Sequence, residues 1–163
     1  MMINDEAREQ LLIEVNSLTD EELNWIPTDN RWSIRQVMEH LYLMESSISK
    51  TIKRQLFTGV QKQTSDKPIE RTTDRSLKVE APDFAQPGEV FATLDELKSK
   101  LSKSHSQLKT IANTVPEEEL AAKSYPHPVF GDMSLKQWIP FVGYHELRHI
   151  EQIKEVKESL KNK

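Results

Sequence analysis

Apolar residues recur at three- and four-residue intervals along four long stretches of this chain, and that period commits most of it to amphipathic helices. In the first stretch, Asp5 to Leu18, the repeat is carried by Ala7, Leu11, Leu12, Val15 and Leu18, with Asn4 or Asp5 as the expected N-cap. The second opens at Arg31-Trp32-Ser33 and runs to about Phe57, with Val37, Leu41, Met44, Ile48 and Ile52 as its buried stripe. The third runs from Thr93 to about Val115 through Leu94, Leu97, Leu101, Leu108 and Ile111. The last runs from Leu135 to about Lys157. Ser33 with Gln36, Thr93 with Glu96, and Ser134 with Gln137 supply the residue pairs of capping boxes at three of the four starts.

Between the long stretches lie two short helical turns, one after Thr19 and one after Pro116, each rich in glutamate. Residues Thr58 to Gln86 are polar, carry Pro68 and Pro82 and lack any helical period, so they read as a long crossover. Leu77 to Ala81 alternates too briefly to establish a strand, and Tyr125 to Asp132, with Pro126 and Pro128, reads as a rigid loop. The expected fold is therefore all-α: a four-helix bundle spanning residues 1–163 as one domain, with the crossover between its second and third helices.

Composition closes off several classes of function. With 22 Lys+Arg against 26 Asp+Glu and the basic residues scattered, no electrostatic footprint for nucleic acid is present. No apolar run reaches the ~20 residues needed to span a bilayer. The polar, acidic start Met1-Met2-Ile3-Asn4-Asp5-Glu6 is unlike a secretory signal, and the expected location is cytoplasmic. The chain has no cysteine, so disulfides, a thiol nucleophile and thiolate metal ligands are all excluded. A metal here must be held by His, carboxylate or water.

Histidines are placed where that could happen. His145 and His149 are four apart in the last helix and project from one face, offset by only ~40° about the axis. Trp138, Phe141, Val142, Ile153 and Val156 share that face, so the two imidazoles are carried inward with apolar neighbours. His40 falls in the buried stripe of the second helix. Three histidines on inward faces of two long helices suit a His₃ site, which leaves a coordination position open for water or substrate. Gln152, one turn past His149, could hydrogen-bond a ligand or substrate. His105 and His127 carry weaker signals; His127, between two prolines, orders its loop or touches substrate.

His145-Glu146-Leu147-Arg148-His149 also spells H-E-x-x-H, the metalloprotease signature in which Glu146 would be the general base. The G-x-x-H extension is missing, with Gln152 where Gly should stand and Glu155 where His should stand. Glu146 lies about 100° from His145, which reads as a solvated flank position. A peptidase is therefore set aside, although Glu146 stays a candidate proton acceptor.

Two segments carry a resemblance: Trp32-Ser33-Ile34-Arg35-Gln36-Val37-Met38-Glu39-His40-Leu41, and His127 to Trp138 leading into Tyr144 to Gln152. Together with the helix order and the proline-containing crossover, they resemble the DinB-like superfamily, which includes YfiT-type metal-dependent proteins and bacillithiol transferases. That resemblance implies a divalent metal, nickel or zinc, on one His of the second helix and an HxxxH pair of the last, here His40, His145 and His149. It implies a homodimer acting on a small molecule. Characterised members include transferases of low-molecular-weight thiols such as bacillithiol, a thiol-dependent isomerase, and proteins described as metal-dependent hydrolases. The leading expectation is a thiol S-transferase that activates a thiolate. The alternatives are a metal-dependent hydrolase on the same site and a non-catalytic bundle stabilised by its metal.

Overall fold

The computed structural model describes every residue from Met1 to Lys163. Four long helices form the body: α1 (Met2–Val15), α3 (Ile34–Thr58), α4 (Leu94–Thr114) and α6 (Leu135–Lys161). Two single-turn helices, α2 (Asp20–Asn24) and α5 (Glu117–Ala121), sit at the ends of the first and third. Helix α1 packs along α6, α3 packs along α4, and α3 also meets α6, which closes the bundle. All five residues of the expected α3 stripe are buried.

The helix starts show how local chemistry sets the boundaries. At Ser33 and Thr93 the side-chain oxygen accepts from the N–H of Gln36 and Glu96, and those side chains accept the cap residue's own N–H. Thr19 and Glu22 form the same reciprocal pair at α2. The pair at Ser134 is only half made. Ser134 Oγ accepts from Gln137 N–H, but the Gln137 amide turns outward to hold both backbone groups of Lys67 in the crossover. Helix α1 starts earlier than expected, at Met2, and neither Asn4 nor Asp5 caps it. Asn4 instead lies inside, donating to the Ile139 carbonyl across the α1–α6 contact. That contact is close because Gly143 has no side chain: a Cβ there would stand 3.0 Å from the Asn4 nitrogen.

The absence of strands expected from the sequence is corrected at one place. Ser124–His127 (β1) and Gly131–Ser134 (β2) pair as an antiparallel hairpin with Tyr125 opposite Met133. Proline does not forbid it: Pro126 lies on a two-stranded ribbon with a free edge, and Gly131 supplies the positive φ of 73° that closes the turn. The crossover has no strand and contains two 3₁₀ turns, Ile69–Thr73 and Asp83–Ala85.

The apolar interior is split in two. One cluster joins the C-terminal halves of α3 and α4 to the hairpin and the start of α6; the other joins α1 to the opposite halves of the same helices. At the level between them each helix carries polar residues: Arg8 on α1, His40 and Glu45 on α3, Ser104 on α4, and His145, Glu146 and His149 on α6. That polar layer holds the site.

Candidate metal centre

Helices α3 and α6 bring His40, His145 and His149 together at the floor of a cleft of about 1890 Å³. Its walls are the crossover and the hairpin. The Nε2 atom of His145 stands 3.2 Å from Nε2 of His40 and 3.2 Å from Nε2 of His149, and the three ligating atoms all lie within 4.8 Å of one another. His40 is 2 % exposed and His145 is 9 % exposed.

Groups outside the triad fix two of the three tautomers. His40 Nδ1–H donates to the Ala85 carbonyl at 2.8 Å, and His149 Nδ1–H donates to Gln152 Oε1 at 2.7 Å. Each ring must then turn an unprotonated Nε2 toward His145. Ala85 belongs to the second 3₁₀ turn of the crossover and is fully buried, so the crossover is part of the site. It is tied down beside His149 by the Arg148 guanidinium, which donates to the carbonyls of Thr72, Asp74 and Leu77. The Trp32 ring, 5.2 Å from the His40 ring, closes the far side.

Burial holds all three imidazoles neutral. It lowers the pKa of His40 against the opposing pull of the Ala85 hydrogen bond, and it lowers His145 far below the ordinary value with help from its two histidine neighbours. His149 is pushed down to about 3 by burial and by His40, with Gln152 resisting. Neutral imidazole is the form that ligates metal. Three nitrogens converge here, two with lone pairs committed to the centre, and no carboxylate completes a hydrogen-bond chain among them. Adjacent ligands of a tetrahedral ion bound at about 2.0–2.1 Å stand about 3.3 Å apart, close to both short spacings. The donor set is compatible with a metal ion.

Glu146 is a correction. It is not a solvated flank residue: it is 4 % exposed, and both oxygens are held by Arg8, Nε to Oε2 at 3.1 Å and Nη2 to Oε1 at 2.9 Å. Arg8 Nη2 also reaches Glu45 Oε1 at 3.0 Å, and Nη1 donates to the Leu101 carbonyl. Glu45 in turn meets Ser104 and His105, and His105 Nε2 lies 2.7 Å from Asp5. Glu146 does not line the cleft. One residue along α6 turns the chain by about 100°, enough to put His145 in the histidine cluster and Glu146 in a separate ionic cluster behind it. No sequence signal marked that network: Arg8 stands among the charged residues Asp5, Glu6 and Glu9, and Glu45 lies between Met44 and Ser46 in no recognisable motif.

Residues 3–153 match the family model of the DinB superfamily. The chain belongs to the DinB superfamily. A Bacillus subtilis relative, named as the uncharacterized protein YuaE, is 36% identical over 160 residues, covering 98% of each chain. An Oceanobacillus iheyensis relative, named "Putative metal-dependent hydrolase", is 25% identical over 140 residues, covering 86% of this chain and 73% of its own. Among solved structures, TT2238, titled a four-helix bundle protein, superposes with a TM-score of 0.65 at 18% identity and covers 94% of both chains. That likeness shows the fold, the all-α four-helix bundle expected from the sequence.

Proposed function

We propose that this superfamily member is a metal-dependent enzyme whose site on His40, His145 and His149 serves thiol S-transfer to a small electrophile. The observation that carries it is the set of three neutral imidazoles at the floor of an open cleft, with their tautomers locked from outside by Ala85 and Gln152. A divalent ion, nickel or zinc, bound there supplies a Lewis acid that keeps a thiol in its thiolate form near neutral pH. The chain does the rest. Ala85 and Gln152 aim the lone pairs, and burial keeps them unprotonated. Trp32 and the aromatic residues of α6 restrict water at the floor. In the transfer an S–C bond forms, the electrophile's leaving group departs with its electron pair, and the thiol proton passes to solvent.

Hydrolysis is the second reading, supported by the name of the Oceanobacillus iheyensis relative. It needs a base for the attacking water. Glu146 is occupied by Arg8, and the carboxylates lining the cleft are Asp74 and Glu80 of the crossover, with Asp74 bonded to Ser76. The withdrawal of Glu146, the base that the H-E-x-x-H motif would supply, favours transfer, and Glu80 is the cleft carboxylate left to serve hydrolysis. Family resemblance further supports a homodimer in the cytoplasm, which light scattering and fractionation would check.

The test is conjugation of a low-molecular-weight thiol to a fluorogenic electrophile by protein loaded with nickel or zinc, run beside ester and amide hydrolysis. Conjugation abolished by His149→Ala is the expected result. Hydrolysis without conjugation would replace the first reading by the second. Neither activity with any loaded metal would leave the bundle non-catalytic.

A further inference from the structure

The hairpin carries a histidine that the metal cluster does not use. The backbone N–H groups of Val129 and Phe130 both donate to His127 Nδ1, at 3.0 and 3.2 Å. A nitrogen that receives two N–H donors presents a lone pair and bears no proton, so the single proton of the neutral ring sits on Nε2. Burial lowers the ring's pKa to about 4, which keeps it neutral under ordinary conditions. Nε2 finds no acceptor within the chain, is not sealed from solvent, and belongs to a ring lining the same cleft as the three histidines.

The ring is also immobilised. Its centroid lies 4.9 Å from Phe130, 5.3 Å from Trp138 and 4.7 Å from Phe141, and Trp138 is itself pinned by donating to the Tyr125 carbonyl. Phe141 separates it from His145, whose ring is 5.9 Å from that of Phe141. A fixed N–H donor thus stands one aromatic ring away from the metal cluster. Its surroundings select for negative charge. Five basic side chains line the cleft, Arg54 and Arg148 among them, against two acidic ones, although the whole chain has a net charge of −4. Arg54 lies 5.9 Å from the centroid of the Tyr125 ring, on the hairpin side of the cleft.

We propose that the cleft takes a substrate bearing an anionic oxygen, a carboxylate or a phosphate, and that His127 donates its Nε2–H to that oxygen. The ligand's reactive atom is then oriented toward His40, His145 and His149. Only this orienting role rests on the metal-dependent reading; the donor and its anion do not.

Two arms separate them, both on the full-length protein. In the first, ¹⁵N-edited NMR of the histidine side chains follows the His127 Nε2–H signal while acetate and inorganic phosphate are titrated. A saturable downfield shift with either anion is expected, and the anion that binds more tightly names the group. No shift with either would overturn the proposal, whatever the metal does. In the second, zinc-loaded protein is titrated with mercaptoacetate and with 2-mercaptoethanol, which differ by carboxylate against hydroxyl. Mercaptoacetate should bind roughly 10- to 100-fold more tightly. His127→Asn keeps a side-chain acceptor for the turn, and His127→Phe keeps the ring packing; both should reduce that preference several-fold, leaving the part owed to the basic side chains of the cleft and to chelation of zinc by the carboxylate. An anion preference unchanged in both variants would refute His127 as the donor. If the NMR shift is present but neither thiol binds, the donor stands and the thiol reading of the metal centre fails.

Discussion

Replacing Arg8 by methionine tests whether the ionic cluster behind the three histidines is structural. Arg8 is the sole side-chain partner of Glu146 and one of three for Glu45; the two carboxylate side chains are 5% and 1% exposed. Removing it leaves Glu146 buried without a partner, whereas Glu45 keeps Ser104 and His105. Breaking a buried pair in this way costs about 3–5 kcal/mol. In a chain of this length each kcal/mol lowers Tm by about 2–4 °C, so the expected fall is roughly 6–20 °C. Burial already raises the Glu146 pKa against the pull of Arg8, and protonation of the orphaned carboxyl brings the loss toward the lower end of that range. Urea unfolding at pH 7 gives the number directly. The double variant Arg8→Met/Glu146→Leu should be more stable than Arg8→Met alone, because the stranded carboxylate is gone. A loss under about 1 kcal/mol, as for a solvated surface pair, would refute the reasoning. So would a double variant weakened by the sum of its parts.

Three further outcomes follow from the same geometry. His105 has its pKa raised by its hydrogen bond to Glu45, with Asp5 assisting against burial. Its stabilisation is therefore full below the ordinary histidine value of about 6.5 and fades as pH rises through the raised folded value, so the stability gap to His105→Gln should narrow between neutral and alkaline pH in urea titrations. A gap that widens would contradict the assignment. Gln152→Leu removes the acceptor of His149 Nδ1–H and should weaken metal binding about 10- to 100-fold in chelator competition, with little change in the far-UV spectrum. Glu146→Leu, made with Arg8→Met to preserve folding, should leave the pH–rate profile of the proposed activity unchanged; a lost limb would restore Glu146 as a base.

Helices were legible because their signals are local. A serine or threonine cap with Glu or Gln three residues on, followed by a 3.6-residue apolar period, needs no tertiary information, and Ser33 and Thr93 start their helices accordingly. Gln137 shows the limit: a residue type suited to a box was taken by a more distant partner, Lys67. The hairpin is not legible in the sequence because its strands are four residues long and one contains a proline, too little for a period of two to register. The clustering of three histidines could be read from helical phase, since an inward face is a local property. Which side of α6 met Arg8 could not, because Arg8 and Glu146 are 138 positions apart and neither looks unlike a surface residue. The tautomers were equally hidden, as they depend on the crossover carbonyl of Ala85 and the turn at Val129.

The proposed activity turns on whether His40, His145 and His149 hold one metal ion together. Isothermal titration of chelator-stripped protein with zinc and with nickel measures that. The expected result is one ion per chain, bound by wild type and lost to the same extent in His40→Ala and His149→Ala, although these ligands come from helices α3 and α6. Stoichiometry other than one, or affinity that survives His40→Ala, would contradict it.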